Sequence, residues 1–298
     1  MTQTNLIMTL SNNRQVGYAE FGDPNGFPVF FFHGFPGSRL MTGDFDKIAR
    51  IKHCRLIGID RPGMGLSSTN KNHTLLSWAD DIKELADHLK INTFSIIAHS
   101  GGAPYALACA HQIPKRVSHI ALVSAMPPTT LPETRNGVPR SLLLINTLTR
   151  NIPGVSWLLM QLQRKILLKP SMINKIAKQS PEPDRLILQD PEQINSLITA
   201  SREAFRQGVD GAAREIRILL KEWKFNIEDI QTPVTIWQGQ LDKQALVSHA
   251  ELYKRKLPLS KLYSFENDAH LSTLYNHIEE IMTMVTITSQ LDSTSSKI

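Results

Sequence analysis

A chain of 298 residues that is 41% hydrophobic is long enough for one large core or two modest domains. Its formal charge is +6, yet the basic residues are spread along the chain and no nucleic-acid motif accompanies them. A generally basic surface without a nucleic-acid partner is therefore expected, with an anionic substrate or a weak membrane-surface attraction left open. No apolar run approaches the ~20 residues that span a bilayer, so no stable membrane insertion is expected. Met1–Ser11 has no cationic start followed by an apolar stretch, as a secretory signal would. Cys54 and Cys109 both sit in apolar surroundings and read as buried free thiols of a reducing, cytoplasmic compartment. No H-E-x-x-H and no paired Cys/His spacing occurs, so neither a metal nor a cofactor is expected.

Short apolar strands alternate with helical segments, the pattern of an α/β fold. Leu6–Leu10 and Gln15–Phe21 predict an opening antiparallel pair, followed by strands at Val29–Phe32 and Leu56–Ile59. Leu75–Leu89 carries apolar residues at helical spacing. Phe94–Ile97 predicts a buried strand, Gly102–His111 a helix and Val117–Val123 a further strand. Residues 127–230 open on Pro127-Pro128 and hold helical-looking pieces between proline breaks. The strand Val234–Trp237, a helix around Ala245–Leu257, the strand Leu262–Phe265 and a helix near Leu271–Val285 complete the pattern. Beyond Ser289 the chain is polar and serine-rich, and a frayed tail is expected.

The most informative stretch is Ala98-His99-Ser100-Gly101-Gly102, where a strand stops, a serine stands and a helix starts at once. Such a turn lifts one hydroxyl above the sheet end and points the first N–H groups of a helix at it. A serine there can attack a carbonyl, and the donors beside it can hold the resulting oxyanion. The strained elbow needs small neighbours two positions away: Gly102 is one, and Ala98 replaces the glycine of a strict G-x-S-x-G pattern. Pro104 is tolerated in the first helical turn.

Phe30-Phe31-Phe32-His33-Gly34-Phe35-Pro36-Gly37 is an apolar strand ending in a His-Gly turn. With it the chain resembles the α/β-hydrolase fold superfamily, and Asp60-Arg61-Pro62-Gly63-Met64-Gly65-Leu66-Ser67 resembles that family's D-x-x-G-x-G-x-S loop. The resemblance implies a mostly parallel eight-stranded sheet flanked by helices, with a helical lid inserted after the sixth strand. It implies that the backbone N–H groups of Phe35 and Gly101 form the oxyanion hole, and that His33 ties down its turn. Asp60 and Arg61 are expected to form a structural pair. The resemblance places the triad acid after Val234–Trp237, at Asp242, because Ser124-Ala125-Met126 after the sixth strand offers no carboxylate. His270, preceded by Ala269 where the family usually has glycine, is the base, and the order Ser, Asp, His fits. Asp268 is a reserve candidate for the acid.

The catalytic core is thus discontinuous, residues 1–126 and 231–298, and residues 127–230 form the lid. Trp157, Leu159 and Met160, in a strongly apolar stretch, are expected to line the substrate pocket together with His99. Ser100-Gly101-Gly102-Ala103-Pro104-Tyr105 and Arg202-Glu203-Ala204-Phe205-Arg206 look like those of a lidded group of bacterial and plant α/β hydrolases. The resulting expectation is a serine hydrolase cleaving an ester-like bond of a small-molecule substrate through an acyl-enzyme. Carbon–carbon bond hydrolysis or peracid formation on the same triad, and a ligand receptor with slow or no turnover, are the alternatives. Dehalogenase and Asp-based epoxide hydrolase chemistry would need a carboxylate where Ser100 stands. Acyl length, leaving group and oligomeric state are left open.

Overall fold

Strands buried on both faces read as continuous apolar runs, and three of them show this most plainly in one sheet. In the computed structural model, which describes residues 2–295 and the side chains through residue 286, these are β3 (Phe27–Phe32), β5 (Phe94–His99) and β7 (Val234–Gly239). The other strands are β1 (Gln3–Thr9), β2 (Gln15–Gly22), β4 (Cys54–Ile59), β6 (Val117–Val123) and β8 (Ser260–Phe265). They form one eight-stranded sheet in the order β1-β2-β4-β3-β5-β6-β7-β8. β1 and β2 pair antiparallel, β2 is antiparallel to β4, and β3 through β8 are mutually parallel. β1 alternates exposed and partly buried positions, as suits an edge strand with one wet face.

Helices cover both faces. α2 (Leu75–His88) begins at a reciprocal cap, in which Thr74 Oγ1 accepts from the Ser77 N–H and Ser77 Oγ from the Thr74 N–H. It buries Leu75, Trp78, Ala79, Ile82, Leu85 and Ala86, the stripe its spacing predicts. α3 (Ala103–Gln112) is made of small and apolar residues, and with α2 and α10 (Val247–Lys256) it covers one side of the sheet. The other side is covered by α1 (Asp46–Ile51) and α11 (Ser272–Ser295). α1 and the 3₁₀ segment Arg39–Phe45 before it were not expected from the sequence. α11 also departs from expectation: its backbone is helical past Ser289 to Ser295, and the last part of the expected tail, 296–298, lies outside the described residues.

Between β6 and β7 the chain builds α4 (Arg140–Asn151), α5 (Pro153–Leu167), α6 (Pro170–Gln179), α7 (Glu182–Ile187), α8 (Pro191–Ala204) and α9 (Asp210–Leu219). The prolines expected as breaks act here as starts. Pro153, Pro170 and Pro191 each open a helix, where a missing N–H costs no hydrogen bond. The inserted helices reach the site through Met160, Phe205, Val209 and Ala212, which pack on Met64 and Phe35.

Chain order reverses at β3. The chain moves from β3 to β4 on one side and returns to β5 on the other, and such a switch point opens a crevice beyond the carboxyl ends of the strands.

Candidate active site

Ser100 stands in that crevice, at the end of β5, with φ of 51°. That left-handed conformation is rare for a residue with a Cβ and marks a strained turn. A Cβ on Gly102 would lie 2.2 Å from the Phe32 carbonyl oxygen, so the elbow closes only on glycine there. Ala98 is fully buried within β5 and is accommodated in place of the second glycine.

Three loops that follow strands bring the partners. Ser100 Oγ lies 3.0 Å from His270 Nε2, and His270 Nδ1 lies 2.8 Å from Asp242 Oδ2. Asp242 also accepts, at Oδ1, from the N–H groups of Gln244 at 2.7 Å and Ala245 at 2.9 Å. Burial pushes its carboxyl up, but the hydrogen bond and charge of His270 and the two N–H groups outweigh it, so Asp242 titrates below the usual carboxylate range. Asp268, the reserve candidate, is turned elsewhere: it binds Asn276 Nδ2 and His277 Nε2, each at 2.7 Å.

The Phe35 backbone nitrogen approaches the same point. A Cβ on Gly101 would lie 3.3 Å from it and 2.8 Å from Phe35 Cβ. The Phe35 N–H has no acceptor among the described residues, and the N–H of Gly101 belongs to a first helical turn, which has none within the helix. The turn carrying Phe35 is held from behind. Arg61 donates to the carbonyls of His33 at 2.7 Å and Gly34 at 2.9 Å, and His33 Nδ1 lies 2.8 Å from the Gly34 carbonyl. The expected Asp60–Arg61 pair does not form. Arg61 pairs with Glu215 of α9, and Asp60 with Arg39 at 2.6 Å, which also binds Glu203 of α8 at 2.6 Å. Neighbours in sequence here point to different partners, and both pairs tie the loops of the sheet to the inserted helices.

His99 is buried beside His270, ring centroids 5.0 Å apart, with Nε2 3.1 Å from the His270 carbonyl oxygen. Burial, reinforced by the His270 ring, holds His99 down at about 3. It stays neutral and donates to that carbonyl, so it places no positive charge beside His270.

A cavity of about 250 Å³ opens onto Ser100. Phe35, Met41, Leu167, Ile173, Leu188 and Leu197 give it mostly apolar walls, and His99, Ser100 and His270 its polar floor. Trp157, Leu159 and Met160 do not line it. Met160 is buried in the cluster with Phe205 and Val209, and Leu159 packs against that cluster. Trp157 is 45% exposed and lines a separate groove with Lys71 and Arg217. The helix α5 reaches the cavity two turns further on, through Gln163 and Leu167. A larger cavity of about 400 Å³ lies against α4 and His249, and Gln244 borders both. Among the described residues no cluster of three or more His, Cys, Asp or Glu side chains is placed to hold a metal ion.

One residue of the site escaped the sequence. Asp184 of α7 is buried and accepts four hydrogen bonds from the residues that lead into α11 and its first residue: from the N–H of His270 at 3.1 Å, of Leu271 at 3.0 Å and of Ser272 at 2.9 Å, and from Ser272 Oγ at 2.9 Å. An acid at a helix N-terminus satisfies donors that have no intrahelical acceptor. This one comes from the inserted segment and fixes the backbone of His270. No local motif announces it; it follows Pro181-Glu182-Pro183 with no patterned neighbour.

Comparison with known proteins fits this geometry. The chain is 33% identical over 139 residues to a non-heme chloroperoxidase of Streptomyces lividans, covering 44% of this chain and 49% of that protein. It is 30% identical over 122 residues to a proline iminopeptidase of Xylella fastidiosa, covering 39% of this chain and 38% of that one. The chain thus aligns with half or less of the length of these relatives. Among solved structures, an esterase of Exiguobacterium antarcticum superposes with a TM-score of 0.68 at 19% identity, over 96% of this chain and 99% of that one. A bromoperoxidase of Bacillus anthracis does so with a TM-score of 0.71 at 16% identity, over 96% and 99%. The family profile for the alpha/beta hydrolase fold matches residues 28–276, and the chain belongs to that family.

Proposed function

We propose that the protein is a serine hydrolase that cleaves an ester-like bond of a small or medium, mainly apolar substrate through an acyl-enzyme. The observation that carries this reading is the continuous chain of hydrogen bonds from Ser100 through His270 to Asp242, opening into an apolar cavity. In the first half-reaction Ser100 Oγ attacks the carbonyl carbon while His270 Nε2 takes its proton. The tetrahedral oxyanion is held by the N–H groups of Phe35 and Gly101, each donor being worth about 3–4 kcal/mol. His270 then returns the proton to the departing alcohol, leaving the acyl group on Ser100. In the second half a water loses its proton to His270, attacks the acyl carbon, and frees the acid and the serine. Asp242 keeps Nδ1 protonated and stabilises the imidazolium in both halves.

The cavity walls favour a neutral acyl group. Asp184 is the sole carboxylate among the described residues lining it, and four donors already occupy it. An amino-terminal substrate, as the name of the iminopeptidase relatives suggests for them, would find no free counter-charge there. The helices α4–α9 act as the lid, since α5, α6, α7 and α8 supply one wall of the cavity.

The test is hydrolysis of p-nitrophenyl acetate through decanoate by the wild type and by Ser100→Ala. The reading expects turnover that rises with acyl length, then drops, and is lost in the variant. Equal turnover by Ser100→Ala would overturn it.

A further inference from the structure

The basic residues are spread along the chain, but the excess of positive charge is not. Residues 134–181 hold eight Lys and Arg and not one Asp or Glu. The rest of the chain carries 25 cations against 27 anions, so this one segment accounts for the entire positive excess. None of its eight cations forms an ion pair among the described residues. Arg140, Lys165, Lys169, Lys175 and Lys178 are exposed.

The same segment is the greasiest part of the surface. Among the described residues, nine of the 14 exposed large hydrophobic side chains fall within it. Leu144 is 60% exposed, Leu158 65% and Leu162 56%, and Ile145, Leu148, Ile152 and Trp157 are also exposed. Leu144 and Leu148 lie one turn apart on α4, and Leu158, Leu162 and Lys165 follow one another along α5. α4 packs on α5 and α5 on α6, so the three helices form one continuous outer layer.

Exposed apolar side chains set among unpaired cations are the composition of a helix that lies in a membrane interface. We propose that α4, α5 and α6 form a docking face for an anionic phospholipid bilayer. The charge selects this occupant over a second copy of the chain. Two such faces would bring ten exposed like charges together with no anion of this segment between them, whereas an acidic lipid surface offsets each cation it meets. The face also adjoins the cavity at Ser100. Ile176 of α6 is 41% exposed and lines that cavity, and Leu167 of α5 lines it from the inner side of the layer. A docked protein would therefore hold its cavity next to the acyl region of the bilayer. The docking itself does not depend on the hydrolytic reading.

The test is sedimentation of the full chain with vesicles of phosphatidylcholine alone and with vesicles in which about a third of the lipid is phosphatidylglycerol. Binding to the anionic vesicles is expected to exceed binding to neutral ones by about tenfold or more and to fall with added salt. Two variants separate the contributions: Leu158→Glu with Leu162→Glu, and Arg140→Gln with Lys165→Gln and Lys169→Gln. Each should lower binding to anionic vesicles by about tenfold. Circular dichroism and turnover of a soluble ester should remain at wild-type values, since none of these side chains lines the cavity. Absence of wild-type binding to anionic vesicles, or binding unchanged in both variants, would overturn the proposal. So would a stable dimer in sedimentation velocity that dissociates in Leu158→Glu with Leu162→Glu while vesicle binding is absent.

Discussion

Asp184 offers a severe test of how the inserted helices serve the site. Replacing it with alanine leaves the N–H groups of His270, Leu271 and Ser272 and the Ser272 hydroxyl without their acceptor in a buried place. An unsatisfied buried donor costs about 1–3 kcal/mol. The hydroxyl can rotate and some water can enter, so the low end applies and the total is about 3–5 kcal/mol. That is a large part of the 5–15 kcal/mol by which domains are usually stable. Asp184→Asn is the finer probe. Oδ1 serves three of the four donors and Oδ2 serves His270 alone. An amide keeps one acceptor oxygen and presents its NH₂ to the His270 N–H, so about 1–3 kcal/mol is lost where it matters most for the base. A displacement of about 1 Å at a catalytic group costs on the order of a hundredfold in rate. Asp184→Asn should therefore unfold at lower urea and lower kcat on a p-nitrophenyl ester by about ten- to a hundredfold, with a smaller change in KM. A variant with wild-type urea midpoint and kcat within about twofold of wild type would refute the role assigned to this contact.

Asp242→Asn should fold normally and lower kcat by about 10³–10⁴ through loss of the correct His270 tautomer, while Asp268→Asn, bound to Asn276 and His277, should keep most activity; a reversed result in ester assays would exchange the two acids. Leu167→Ala should move the optimum of kcat/KM toward longer acyl chains, each added buried methylene contributing about 0.8 kcal/mol, whereas Trp157→Ala should leave the profile unchanged. Stability should fall as the pH drops. Burial, with help from Arg61, Arg14 and Arg214, holds His73 down at about 3, so it stays neutral in the folded chain while an unfolded histidine, with its ordinary value of 6.5, takes up a proton. Its contribution is complete above about pH 6.5, is lost progressively toward pH 3, and has fallen by about 2 kcal/mol at pH 5. His99 acts in the same direction and Glu215, pushed up to about 7 by burial, in the opposite one, so the reading is the difference between wild type and His73→Gln in urea denaturation at pH 7 and pH 5; an equal pH dependence in the two would contradict it.

What the sequence made legible was local. Ser100 stood out by its strand, elbow and helix, and the resemblance to the α/β-hydrolase fold then pointed to Asp242 and His270, each just after an apolar strand. The parallel strands were equally plain, because burial on both faces leaves an unbroken apolar run. The short helix α1 was hidden because Asp46–Ile51 is too brief to show a period. Asp60 and Arg61 were paired with each other wrongly, and their partners Arg39 and Glu215 were not found, because ion pairs are decided by topology: Arg61 meets its carboxylate on α9, far along the chain. Leu167 was missed for a different reason. The stretch from Trp157 to Leu168 is apolar on more than one side, and composition does not say which side meets the cavity. Asp184 had no signal at all, since its meaning lies in the N–H groups of residues 270–272, which only the fold brings near.

The central claim is that Ser100 is the nucleophile, and covalent labelling tests it most directly. The wild type and Ser100→Ala are incubated with a fluorophosphonate, and intact mass and peptide mapping locate the adduct. The account predicts one adduct per wild-type chain on the peptide holding Ser100, and none on Ser100→Ala. Stoichiometric labelling of Ser100→Ala at another serine would contradict it.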